Sequence, residues 1–115
     1  MGKFGVTGPK ISSVFLLLAV KIAEPAIASQ QSGTITMYTI ASSGSNAFMV
    51  SGSRTAPPAC ATDPYWSVPA SAPNADTLMA AVITARETGR PVTVTGKGTC
   101  DPALPTREEI NWIGF

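Results

Sequence analysis

The stretch Thr93-Val94-Thr95-Gly96-Lys97-Gly98-Thr99-Cys100 comes nearest, by residue type and spacing, to a recognisable piece of chemistry. A strand-like run that breaks into Gly-Lys-Gly-Thr suggests a phosphate cradle, which needs backbone amides and the positive end of a following helix aimed at one anion. The surrounding residues exclude it. Pro91 stands where the pattern needs its first glycine, and Gly98 stands where Ser or Thr must follow the lysine. Pro102 and Pro105 forbid a helix at the required place. The expectation is a glycine-rich strand exit leading to Cys100.

Other reactive arrangements are scarce. The chain has no histidine, which removes the commonest general base and the commonest metal ligand together. Two cysteines alone are too few for a zinc site. Among the acids Asp63, Asp76, Glu87, Asp101, Glu108 and Glu109, only the last two are adjacent. Neighbours on a strand point to opposite faces, so these two do not flank one glycosidic bond. Both are read as solvated carboxylates at a strand start. The sequence therefore reads as a non-enzyme with no cofactor and no metal.

Binding chemistry is better represented. Trp66, Tyr65, Tyr38 and Trp112 offer flat apolar faces, while Asn46, Asn111 and the serines of the 42–45 turn offer hydrogen bonds. Trp112 shares a strand face with Ile110 and is expected in the core. Trp66 lies in a short segment between Pro64 and Pro69, where an exposed edge is expected.

The leader fixes the compartment in which these residues work. Lys3 and Lys10, the apolar run 11–20 and the Ala26-Ile27-Ala28 triplet read as a secretory signal peptide over residues 1–28, cleaved after Ala28. Lys21 interrupts the apolar run well short of the ~20 residues that a spanning helix needs. Residues 29–115 remain as one small domain, secreted or periplasmic, with a net charge of −1. That balance argues against a nucleic-acid partner or, once the leader is gone, a membrane surface. In an oxidising compartment Cys60 and Cys100 are expected to form one disulfide, and closing so long a loop contributes about 4 kcal/mol in the chain-entropy model.

The elements that must position these groups follow from periodicity. Residues 32–40 and 47–51 read as strands joined by the turn-forming cluster 41–46. Residues 53–63 form a loop, and 65–68 a short third strand. Asn74 caps a helix whose core face carries Leu78, Ala81, Val82 and Ala85, with Asp76 in its first turn and Gly89 ending it. Residues 92–95 form a fourth strand, 96–105 a loop and 110–115 a fifth strand. The order is β-β-β-α-β-β, an α+β or mainly β domain built as a small, partly open five-stranded barrel plugged by the helix.

A resemblance fits this order. The run Thr88-Gly89-Arg90-Pro91-Val92-Thr93-Val94 after an Ala-rich helix, with Trp66 upstream and Ser32-Gly33 opening the first strand, resembles the B subunit of subtilase cytotoxin. It is similar also to small secreted bacterial proteins sharing Thr-Gly-x-x-Val-x-Val-x-Gly-x-Gly-Thr-Cys and a closing Glu-x-Ile-Asn-x-Ile, here Glu108 to Ile113. The resemblance implies an OB-type (oligonucleotide/oligosaccharide-binding) barrel, a ring of five copies, a glycan ligand and a secreted A subunit. It implies a sugar contact at Ser32, beside which Trp66, Tyr65 and Asn46 are the candidate ligand-binding residues. Gly96 falls where the family has a sugar-binding tyrosine, and Val50 where it has the partner of Cys60, which leaves Cys100 as the partner here. The function so implied is a secreted, toxin-B-subunit-like binding module. The rival reading is a structural or inhibitory envelope protein that works through protein contact at the last strand or the Trp66 edge.

Overall fold

The computed structural model describes residues 28–115, so the leader segment and its signal-peptide reading, apart from its last residue, lie outside the described residues. Six strands and one helix follow in the order β1 (Gln30–Gly33), β2 (Ile35–Thr39), β3 (Asn46–Val50), β4 (Trp66–Val68), α1 (Ala75–Thr88), β5 (Val92–Asp101) and β6 (Leu104–Gly114). They form one mixed sheet with strand order β1-β5-β6-β4-β3-β2. All neighbours are antiparallel except β4 and β6, which run parallel with Trp66 opposite Glu108 and Ser67 opposite Glu109.

This corrects the expected five-stranded OB-like barrel. The first predicted strand is two strands, β1 pairing with β5 and β2 with β3, and no ladder joins these two ends of the order. The sheet is open. Its physical cause is the break at Thr34, where the chain leaves one neighbour for another. Because Thr34 alone separates β1 from β2, the sheet coils until its edges approach, and the Gln31 side chain on β1 donates to the carbonyls of Val50, at 3.0 Å, and Gly52 beyond β3. The toxin-B-subunit resemblance loses its support here, since the closed barrel that it requires is not formed.

The core lies between the inner face of the sheet and α1. Ile35, Phe48, Val50, Trp66, Val68, Val92, Val94 and Ile110 meet Met79, Val82 and Ala85 of the helix. The helical face read from the sequence is the buried one at Val82 and Ala85, while Leu78 is only partly covered and Met79 fills the gap. Gly89 ends the helix in the left-handed region at φ 67, where its N–H caps the Ala85 carbonyl. Asn74 occupies the N-cap position at φ 62 without a side-chain cap bond.

Two expectations about aromatic residues are reversed. Trp66 is completely buried, whereas Trp112 is 46% exposed. Trp66 pairs across to Phe48 on the inner face, and Trp112 projects from β6 with Asn111 also exposed beside it. The stretch 96–105, expected as a loop, is instead a hairpin, because β5 continues to Asp101 and β6 begins at Leu104. The disulfide Cys60–Cys100 is formed and ties the β3–β4 loop to this hairpin.

Candidate functional site

The strand β5 explains what Gly96-Lys97-Gly98 does. Gly96 pairs with Ile110 and Cys100 with Glu108, so residues 97–99 on β5 face Glu109 alone on β6, and the strand bulges. Gly98, at φ 82, turns its N–H to Glu108 Oε2 at 3.0 Å. A Cβ on Gly96 would overlap the same carboxylate and approach the Trp66 ring to 2.7 Å. The glycines make room for a carboxylate from the next strand, not for a phosphate.

Glu108 is completely buried, contrary to the expectation of a solvated residue. Parallel pairing with β4 puts it beside Trp66, and alternation along β6 then sends Glu109 to the other face, where it meets Lys97 at 3.4 Å. Arg54, from the β3–β4 loop, covers the inner pair. Its guanidinium lies 3.9 Å from the centre of the Trp66 ring. Nη2 donates to the carbonyls of Pro64 at 3.2 Å and Tyr65 at 3.3 Å. Nη1 reaches only to 3.7 Å from Glu108 Oε1, which supplies charge but no hydrogen bond. Burial pulls the Arg54 guanidinium below its ordinary value, opposed by the carboxylates of Glu108 and Asp63.

Two buried side-chain oxygens among the described residues have no hydrogen-bond partner, Glu108 Oε1 and Ser29 Oγ. Native structures leave few such groups, so each calls for a cause. They belong to one neighbourhood. The Ser29 carbonyl accepts from Gly96 N–H at 3.0 Å, so Ser29 sits across from the glycine over which the Glu108 carboxylate lies. Ser29, Gly96 and Gly98 line a cleft of about 410 Å³ together with Ala28, Ala56, Pro58 and Lys97, while Glu108 itself does not reach its surface. Ala56 holds a left-handed backbone at φ 49 on its wall.

The residues singled out in the sequence are not gathered into one site. Ser32 is exposed on β1 and shares a 3.0 Å hydrogen bond with Thr93. Asn46 accepts from Ala41 N–H at 3.0 Å and so shapes the β2–β3 turn. Tyr65 precedes β4 on the outer face, its hydroxyl 3.1 Å from Met37 Sδ and its ring 4.3 Å from the Arg107 guanidinium. Trp66 points the opposite way, and its Nε1 donates to Gln31 Oε1 at 2.7 Å. An indole with both its ring and its N–H engaged inside the core is not free to stack on sugar. The glycan site drawn from Ser32, Trp66, Tyr65 and Asn46 therefore does not assemble, and the carbohydrate-binding, five-copy and A-subunit expectations fall with the barrel on which they rested.

Glu108, Arg54, Gln31 and Ser29 were missed. The one signal that points to them is the pair of glycines at 96 and 98, whose missing side chains admit a group from elsewhere. Among the described residues no three His, Cys, Asp or Glu side chains gather to hold a metal ion, and no helix is long and apolar enough to cross a membrane. No family model, no curated protein and no solved structure matches the chain.

Proposed function

We propose that this chain is an exported, non-enzymatic domain whose cleft at Gly96, Lys97 and Gly98 binds a primary ammonium group. The observation that carries the reading is Glu108 Oε1, a carboxylate oxygen that is buried, faces a cation at 3.7 Å and still receives no hydrogen bond. A buried acceptor in that condition gains from any donor it takes up. One ammonium nitrogen has three donors and a full charge, enough to serve Glu108 Oε1 and the neighbouring Ser29 Oγ together. The one charged side chain lining the cleft is Lys97, which is paired with Glu109, so the ammonium's counter-charge is Glu108 behind the glycines. Both oxygens are covered, so entry requires local opening at the Gly98 bulge or at the Ala56 wall.

Export is supported by the leader pattern and by the disulfide, which persists where thiols are oxidised. A nuclear magnetic resonance titration tests the site. The chain starting at Ser29 is acetylated at its amino terminus, so that it carries no α-amine of its own, and receives butylammonium or butyrate. Butylammonium is expected to shift the amide signals of Gly96, Lys97 and Gly98, butyrate to leave them, and Glu108→Gln to abolish the response. Equal responses to the two ions would refute the reading.

A further inference from the structure

We infer that the chain's own amino terminus regulates this cleft: hydrolysis of the Ala28–Ser29 bond creates an α-ammonium that occupies the Glu108 site and excludes amine ligands. The inference rests on the amine reading of the cleft and names its first occupant. Ser29 is only 2% exposed, whereas Ala28 before it is exposed. Exposure thus drops sharply across the bond that the leader pattern marks for cleavage. Ala28 and Ser29 both line the cleft.

Register brings Ser29 to the carboxylate. Gln30 pairs with Thr95, and the Gly96 N–H to Ser29 carbonyl bond extends that ladder by one residue. Facing residues of an antiparallel pair hold their Cβ positions about 4.5–5.5 Å apart. The Glu108 carboxylate occupies the space of the absent Gly96 Cβ, so it lies within a side chain's reach of Ser29. The oxygen at that point is Oε2, which takes the Gly98 N–H; the unpartnered Oε1 is the farther one, on the Arg54 side, and with Ser29 Oγ it makes the pair of unfilled acceptors that the ammonium serves.

The cleavage step balances simply. A leader peptidase adds water across the Ala28–Ser29 amide; Ala28 leaves as a carboxylate, and Ser29 keeps the nitrogen, which takes up a proton because a free α-amine has a pKa of about 7.7–8. A neutral amide with one donor becomes a cation with three. Of the neighbouring cations, Lys97 is paired with Glu109, and Arg54 donates to the Pro64 and Tyr65 carbonyls while standing 3.7 Å from Glu108 Oε1 without a hydrogen bond, so Glu108 is the carboxylate that the ammonium shares with Arg54. Because the ammonium is tethered, it competes at an effective concentration on the order of millimolar.

The test uses two forms of the oxidised chain starting at Ser29, one with a free α-amine and one acetylated, each as wild type and as Glu108→Gln. Butylammonium affinity and the urea midpoint are measured for all four. The acetylated wild type is expected to bind butylammonium about ten-fold more tightly than the free-amine form. The free-amine form is expected to be the more stable, and both differences should vanish in Glu108→Gln. Equal affinities for the two wild-type forms would overturn the latch and leave the amine site standing. No binding to the acetylated form would overturn the amine reading itself. A stability gain that persists in Glu108→Gln would place the counter-charge elsewhere and also overturn the latch. The wild-type comparison stands even if the variant does not fold.

Discussion

Glu108 and Glu109 are the same residue type, adjacent on one strand, and they live in different surroundings. Glu108 is completely buried against Trp66, Arg54 and the Gly98 N–H, while Glu109 lies on the outer face and meets an exposed lysine. The difference comes from strand alternation together with the glycines opposite. On the inner face Gly96 leaves a hole that the longer acid fills, and Arg54 folds over to neutralise it. On the outer face Lys97 meets Glu109 directly, and the lysine is open to water. A carboxylate held inside by one hydrogen bond and one distant cation is poised for a further donor, which its neighbour beside Lys97 does not need.

The comparison can be broken or sharpened by substitution, beginning with the aromatic residues of the two faces. Trp66→Ala should cost about 3–5 kcal/mol in urea unfolding, since it empties the centre of the core and strands Gln31, whereas Trp112→Ala should cost about 1 kcal/mol or less. Similar losses from the two would mean that the inner face is wrongly assigned. A smaller effect is expected at the hole itself. Gly96→Ala should destabilise by about 1–3 kcal/mol through overlap with the Glu108 carboxylate and the Trp66 ring, and pairing it with Glu108→Ala should recover part of that loss. Strict additivity in the double-mutant cycle would separate the glycine from the acid.

The finest test concerns the acids alone. Glu108→Gln should cost about 2 kcal/mol, because Arg54 keeps its burial and loses its counter-charge. Glu109→Gln should cost less, about 1 kcal/mol or below, because its partner Lys97 is open to solvent although Glu109 itself is mostly covered. Raising the salt concentration should erase the second effect and leave most of the first. If salt erased both, Glu108 would be in contact with water.

What the sequence determined by itself is local. The period of 3.6 placed Val82 and Ala85 on the inner side of α1, and Gly89 with Pro91 after it marked the helix end, because these signals act within a few residues of one another. Alternation established that Glu108 and Glu109 point to opposite faces. Cys60 and Cys100 could pair only with each other, since the chain has no other cysteine. What tertiary structure decided is which of two faces is the inside. Alternation along β6 puts Glu108, Ile110 and Trp112 on one face, and only the pairing with β4 and the register shift between Gly96–Ile110 and Thr95–Trp112 left the acid buried and the tryptophan exposed. The same distant pairings split the first predicted strand at Thr34 and left the sheet open where a barrel was expected. Arg54, Glu108 and Ser29 come from a loop, the last strand and the residue before the first strand. Their meeting is a matter of register between remote segments, and no window of sequence contains it.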